Sequence, residues 1–413
     1  MLNAKRNIII IGLQPWYIDI GSNCKQIAST LATTHHVLYV NIPINRKLLL
    51  FKRKYPELTY HFEVIRGEKP ALVQIDEHFW NFYPPTIHES INWIQSPKLF
   101  DRLNKVNNRR FARDIQWAAD QLGFKDYILF NDNDIFRGFY LKELLHPSLY
   151  VYYCRDYLRA VPYFKYHADR IEPLHIQKAD LAISNSHYLE RYLRQYNANS
   201  YYTGQGCNVS LFNGDRIYKT PSDIEKIPRP RIGYVGNLYA LRLDEQIFYY
   251  IATQRKDWHI ILIGPEDEVF SKSRLHELEN VYFLGKKPIE SLPAYIQSLD
   301  VCLNPQKIND MTIGNYPLKI DEYLSMGKPV VATRTEAMKM FEEHCYLAYT
   351  KEDYPMLIEQ ALHDQHEYRI NKRKAFAREH TWENTVSKIW EYISKTETIL
   401  SKDAMKYKET EAG

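Results

Sequence analysis

GNYPLKIDEYLSMGKPVVAT, Gly314 to Thr333, sets Lys319, Asp321 and Glu322 on a short helical run that feeds directly into an apolar strand. Charges at the edge of a core are costly unless they meet a ligand, a partner or water. Pro317 suits the first turn of a helix and Gly327 its end, so the stretch reads as a loop, a helix over LKIDEYLSM and a buried strand, KPVVAT. That order belongs to a parallel α/β sheet, whose ligands gather at the carboxyl ends of the strands.

Outward from this stretch, the second half repeats the pattern. RIGYVGN (231–237), HIILIG (259–264), VYFLG (281–285) and DVCLNP (300–305) read as strands, each ending in a turn-former: Gly236-Asn237, Gly264-Pro265, Gly285 and Asn304-Pro305. Small residues along one sheet edge let a backbone approach a phosphate, and helix starts there offer unpaired N–H groups with a partial positive charge. A diphosphate lying near Leu318 and Lys319 fits this layout. Glu322, one turn later, is acceptor-only and bidentate, which suits the vicinal hydroxyls of a ribose. The plainer alternative is an amphipathic helix with solvated charges.

The first half alternates strands at 7–12, 37–41, 127–131, 149–153 and 180–184 with helical patterns such as 22–34 and 101–122. At 413 residues the chain exceeds what one core usually supports. The polar, proline-containing stretch 213–231 reads as an interdomain linker. The expected organisation is a first domain over 1–212, a linker over 213–230, a second domain over 231–378, a helix over 379–400 and a polar, frayed tail over 401–413. Two such halves predict an α/β fold with a cleft between the domains.

A formal net charge of +4 argues against a dedicated nucleic-acid binder. Cys24, Cys154, Cys207, Cys302 and Cys345 are scattered, which fits neither a zinc site nor a disulfide framework and suits a reducing, cytosolic compartment. The IIIIGL run before Gln14 is too short for a membrane span and lacks a signal-peptide layout. NRKLLLFKRKYPEL (45–58) interleaves basic and apolar residues, as an anionic membrane surface or an ordinary surface helix would each require. Asp132-Asn133-Asp134 has the D-x-D form of a metal-binding pair. It also makes a good turn and helix cap, and the expectation is no metal, with Asp132 facing an acceptor from a strand end.

The run PLKIDEYLSMGKPVVAT resembles the nucleotide-sugar signature of family-four, or group 1, glycosyltransferases of the GT-B fold, in their bacterial cell-surface polysaccharide branch. RPRIGYVGNLYALR (229–242), HIILIGPED (259–267), NVYFLGKKPIESLPAYIQSLDVCLNP (280–305), KADLAISNSHYL (178–189) and GQGCNVSLF (204–212) resemble further segments of that family in the same order. The resemblance implies two Rossmann-like domains with parallel sheets facing a cleft, and a closing helix over 377–395 with Trp382 and Trp390 as packing anchors. It implies sugar transfer from a nucleotide-sugar donor to a glycan or lipid-linked acceptor. Retention of configuration, no cofactor beyond the donor and no nucleic-acid partner are expected, with a cytoplasmic location at the inner face of the membrane.

Residue by residue, the resemblance implies donor contacts at Gly236, Asn237, Arg242, Gly264, Pro317, Leu318, Lys319 and Glu322. Arg242 and Glu322 carry the leaving diphosphate and the ribose. The family's first basic position is Asn237 here, and the first glutamate of its E-x7-E pair falls on Gly314; Lys319 is the candidate for the missing positive charge. On the acceptor side, the loop 14–24 implies Trp16 and Tyr17 stacking on a sugar, Asp19 bonding hydroxyls and Gly21 permitting close approach. Asp156 is the polar candidate after the strand at 149–153. A nucleotide-sugar 2-epimerase of the same fold and a non-catalytic sugar-nucleotide-binding relative stay open as alternatives.

Overall fold

The computed structural model describes residues 5–18, 21–50 and 55–411, with side chains described as far as residue 402. Asp19, and 51–54 within the basic segment, lie outside the described residues. The chain divides into two compact units. One comprises the residues up to Gly204 together with those from Thr385, the other Gln205–Asn384.

The first unit is built on eight strands: β1 (Asn7–Ile11), β2 (His36–Val40), β3 (Leu72–Asp76), β4 (Phe79–Phe82), β5 (Ile128–Asp132), β6 (Leu149–Cys154), β7 (Leu181–Ser184) and β8 (Ser200–Tyr202). Their order is β3-β4-β2-β1-β5-β6-β7-β8, parallel throughout except that β3 runs antiparallel to β4. The four isoleucines of β1 are buried on both faces, as the centre of a helix-covered parallel sheet requires. β3, β4 and β8 went unseen in the sequence. LVQID is a half-polar edge, and FWNF and SYY are too short to show a period.

The second unit carries β9 (Arg231–Val235), β10 (His259–Ile263), β11 (Val281–Gly285), β12 (Val301–Asn304), β13 (Val330–Thr333) and β14 (Tyr346–Ala348), all parallel in the order β11-β10-β9-β12-β13-β14. Alternation along the strands feeds two cores. Ile261, Ile263, Cys302, Val330 and Ala332 pack in one layer; Ile260, Leu262, Val301, Leu303 and Val331 pack in the other.

The expected linker over 213–230 is a packed part of this second unit. Ile224 and Ile227 are buried in its core, Lys287 pairs with Asp223 at 2.7 Å, and the backbone N–H of Tyr218 donates to Gln297 at 2.8 Å. Prolines and charges gave the stretch a linker's composition, while two isoleucines on one short turn anchor it. The closing helix runs from Trp382 to Glu411, so the tail from 401 is helical as far as 411 rather than frayed. In the first unit its Trp390 stacks on His35, Tyr392 stacks on Tyr201, and Glu397 pairs with Arg6 at 2.7 Å. Trp382 is buried against Gly206 in the second.

All five cysteines are unbridged and buried. No helix among the described residues is long and apolar enough to cross a membrane.

Helix Leu318–Ser325 is fixed to the central strand of its sheet by one side chain. The fully buried Tyr323 hydroxyl accepts from the Val235 N–H at 2.8 Å and lies 3.3 Å from the Val235 carbonyl. Tyr323→Phe leaves that N–H buried without an acceptor and is expected to cost about 1–3 kcal/mol of stability, read from urea unfolding of the variant against the parent.

Candidate functional site

The carboxyl edge of β9 and β10 meets the start of helix Leu318–Ser325. Gly236 and Gly264 end β9 and β10 with φ of +145° and +148°. A Cβ on Gly264 would stand 1.9 Å from the Gly236 carbonyl oxygen, so the two turns touch only because both are bare. The Lys319 side chain lies over the same turn: a Cβ on Gly236 would be 3.1 Å from its Cε, and its Nζ sits 5.1 Å from the centre of the Tyr234 ring.

The three charges of the opening stretch have three different environments. Asp321 points inward and is fully buried, where the Tyr316 hydroxyl donates to it at 2.6 Å and His380 Nδ1 meets its other oxygen at 2.8 Å. Burial pushes its carboxyl pKa up against the opposing pull of His380 and Tyr316. Lys319 and Glu322 are half-buried, and neither takes part in an ion pair or side-chain hydrogen bond among the described residues. Burial pushes the Glu322 carboxyl up to about 7, with Lys319 drawing it down and Asp321 adding to the rise.

Pro317 takes the N-cap position, one residue earlier than a first-turn proline, with extended backbone. The N–H groups of Leu318 and Lys319 behind it find no acceptor among the described residues. Arg242 is half-buried on the loop after β9, its carbonyl accepting from Lys307 N–H at 2.9 Å; Asn237 is exposed and Gly314 buried. Gly236, Gly264, Pro317, Leu318, Lys319 and Glu322 therefore belong to one strand-edge and helix-start neighbourhood. Sequence reasoning missed Tyr234, Tyr316, Tyr323 and His380, the groups that hold it. A buried aspartate demands a donor, which was the one signal available for His380.

In the first unit the acceptor-side expectations need correction. Trp16 is packed edge-on against Phe79 and Tyr39, with ring centres at 4.6 and 5.2 Å, and Tyr17 stacks on Tyr83. Both rings pack against aromatic neighbours of the same unit. A Cβ on Gly21 would meet no protein atom within 4 Å, so the space beside that glycine is open. Asp132 is fully buried, accepting from Arg155 Nε at 2.8 Å and from Leu13 N–H at 3.3 Å, and it does not face an acceptor. Arg155 also reaches Asp156 at 3.1 Å, while Asp134 is held by its own arginine, Arg137, at 2.5 Å.

A cavity of about 310 Å³ opens at the carboxyl edge of this sheet, lined among others by His88, Trp93, Asp134, Arg137 and Tyr163. His88 is buried with its Nε2 unbonded, and burial with Arg137 and Arg110 nearby pushes its pKa down to about 3, so the ring is neutral. Trp93 and Tyr163 stand exposed at this cavity.

The raised Glu322 pKa has a sign that can be measured. The folded carboxyl holds its proton more tightly than the unfolded one, so stability declines as pH rises from about 4.5 to about 7. In Glu322→Gln that contribution disappears. The difference in unfolding free energy between variant and parent is expected to grow by about 1–3 kcal/mol in the variant's favour across this window, measured by denaturant titration at several pH values.

Residues 229–364 match the family Glycosyl transferases group 1. A protein of Bacillus subtilis (strain 168) named "Putative teichuronic acid biosynthesis glycosyltransferase TuaH" is 25% identical over 187 residues, 44% of this chain; the match spans 47% of that relative, about half its length. Among solved structures, sucrose-phosphate synthase from Thermosynechococcus elongatus aligns over 98% of this chain and all of its own, at TM-score 0.59 and 15% identity. Anabaena Alr3699/HepE in complex with UDP and glucose aligns over 95% of this chain and all of its own, at 0.63 and 14%. An α,α-trehalose-phosphate synthase (UDP-forming) from Burkholderia vietnamiensis covers 95% of this chain and 99% of its own, at 0.66 and 11%. At such identities the likeness establishes the fold. The chain has the GT-B fold, and within its second unit residues 229–364 are similar to the group 1 glycosyltransferases.

Proposed function

We propose that this chain is a glycosyltransferase that moves a sugar from a nucleotide diphosphate donor to a glycan or lipid-linked acceptor, with retention of configuration. The observation that carries the reading is Glu322: a half-buried carboxylate without a partner, one turn into a helix whose first N–H groups are also unspent. In this reading the diphosphate lies on the N–H groups of Leu318 and Lys319, the Lys319 ammonium and Arg242 meet its charge, and Glu322 accepts from the ribose hydroxyls. Lys319, resting over the Gly236 turn, takes over the charge that the family's first basic position lacks at Asn237. The cations and helix start neutralise the leaving diphosphate directly, so the reading requires no metal and no cofactor.

Three matters support a glycan as the acceptor: the family match, the teichuronic acid biosynthesis in the name of the Bacillus subtilis relative, and the aromatic-walled cavity of the first unit. HepE and the trehalose-phosphate synthases are named with UDP or UDP-linked sugar, which makes uridine the first base to try.

Calorimetric titration of UDP-, GDP- and ADP-sugars into the protein tests the donor site. One of them is expected to bind, with affinity reduced tenfold or more in Glu322→Ala and in Lys319→Ala, as loss of a charge-assisted contact implies. Unchanged binding in Glu322→Ala would remove the assignment. Because the carboxylate form is the one that binds a diol, donor affinity is expected to rise about tenfold between pH 6 and pH 8, and the rise is expected to vanish in Glu322→Gln. Conversion of the donor sugar without acceptor, followed by NMR, would point to an epimerase instead.

A further inference from the structure

We propose that the long helix Pro97–Gln121 of the first unit is a docking surface for an anionic lipid bilayer. Lys98, Arg102, Lys105, Arg109 and Arg113 recur at steps of three and four residues and form one stripe, about 22 Å long at 1.5 Å per residue. All five are exposed, and none takes part in an ion pair or hydrogen bond among the described residues; Lys105 has only a ring contact, 6.0 Å from the Tyr140 centre. The buried residues of the helix, Phe100, Asn104, Asn108, Phe111 and Ile115 among them, lie on the opposite face. The stripe is therefore free to meet a partner along its whole length.

The helix's acids are engaged elsewhere. Asp101 pairs with Arg170 at 2.7 Å, Asp114 accepts from the Thr86 hydroxyl at 2.7 Å, and Asp120 accepts from Gln116 at 2.8 Å where the stripe ends. Of the neighbouring arginines, Arg110 is taken by Glu89 at 3.0 Å. A row of five cations without an ion pair among the described residues calls for a polyanion.

The apolar side chains decide which one. Leu99, Val106 and Trp117 are 48%, 37% and 47% exposed and run beside the cations on the same helix. A hollow lined by Val106, Arg109, Ala112, Arg113 and Leu144 joins both kinds of residue. Cations beside exposed aliphatic and indole groups match a headgroup layer, where the charges meet lipid phosphates and the apolar groups enter the acyl boundary. A nucleic acid would use the cations and leave Leu99, Val106 and Trp117 without a purpose. Among the described residues of 45–58, Arg46 is already paired with Glu89 at 2.6 Å, and Leu48 and Leu49 pack against Ile44, Leu58 and Phe62.

Vesicle flotation of the full chain tests the surface. Vesicles of phosphatidylcholine with about one-third phosphatidylglycerol are expected to carry the protein, and pure phosphatidylcholine vesicles are not. Lys105→Gln/Arg109→Gln/Arg113→Gln, checked for an unchanged melting temperature, is expected to lose about a hundredfold in partitioning, from roughly fivefold per cation. Val106→Ser/Trp117→Ser is expected to weaken vesicle binding as well. In the parent, binding should fall steeply as salt is raised, a readout that does not depend on any variant folding. Equal binding to neutral vesicles, no binding to either, or an unaltered triple variant would overturn the proposal. So would tighter binding to an RNA oligonucleotide that Val106→Ser/Trp117→Ser leaves intact.

Discussion

The second unit turns on a buried carboxylate that has to be satisfied. Asp321 sits in the core with Tyr316 five residues before it and His380 fifty-nine residues after it. Because a lone buried charge is so unfavourable, this three-way contact fixes both the roll of helix Leu318–Ser325 and the place where the chain returns at the end of the unit. Tyr323 adds a second constraint by reaching the last residue of β9. With those two side chains turned inward, the helix has only one direction left for Lys319 and Glu322. Their position at the strand edge is a by-product of the inward pair, and neither has an ion pair or side-chain hydrogen bond among the described residues.

Much of this was legible in the sequence. Strands β9 to β13 could be read to within two residues because each is a short apolar run, the first four stopped by glycine, proline or asparagine and β13 opened by Gly327 and Pro329. The helix could be read because Pro317 and Gly327 bracket it. What could not be read were the partners. Nothing local says that Asp321, rather than Glu322, turns inward, since the choice depends on His380 from a distant segment. The same limit explains the first unit, where Asp132 looked like a surface group at a strand end. Arg155, one strand over, holds it in the interior. Composition also misled at 213–230, where charges and prolines outweighed two isoleucines that a sheet face was waiting to cover.

The departures from the family pattern at Asn237 and Gly314 sit side by side with unusual electrostatics rather than with a damaged fold. Gly236 and Gly264 keep their bare contact, the helix keeps its start, and Glu322 stands one turn from Lys319 on a single helix. At this edge the Lys319 charge opposes the burial that raises Glu322.

The five unbridged cysteines have a use of their own. Each is buried, and burial pushes every one of the thiols above its ordinary range, so the folded chain presents almost no thiolate to a modifying reagent. Reaction has to wait for a local opening. Cys24 and Cys154 then report on the first unit and Cys207, Cys302 and Cys345 on the second. The native sequence thus carries two separate clocks for how each half breathes, and peptide mapping after timed alkylation would read them without any introduced label.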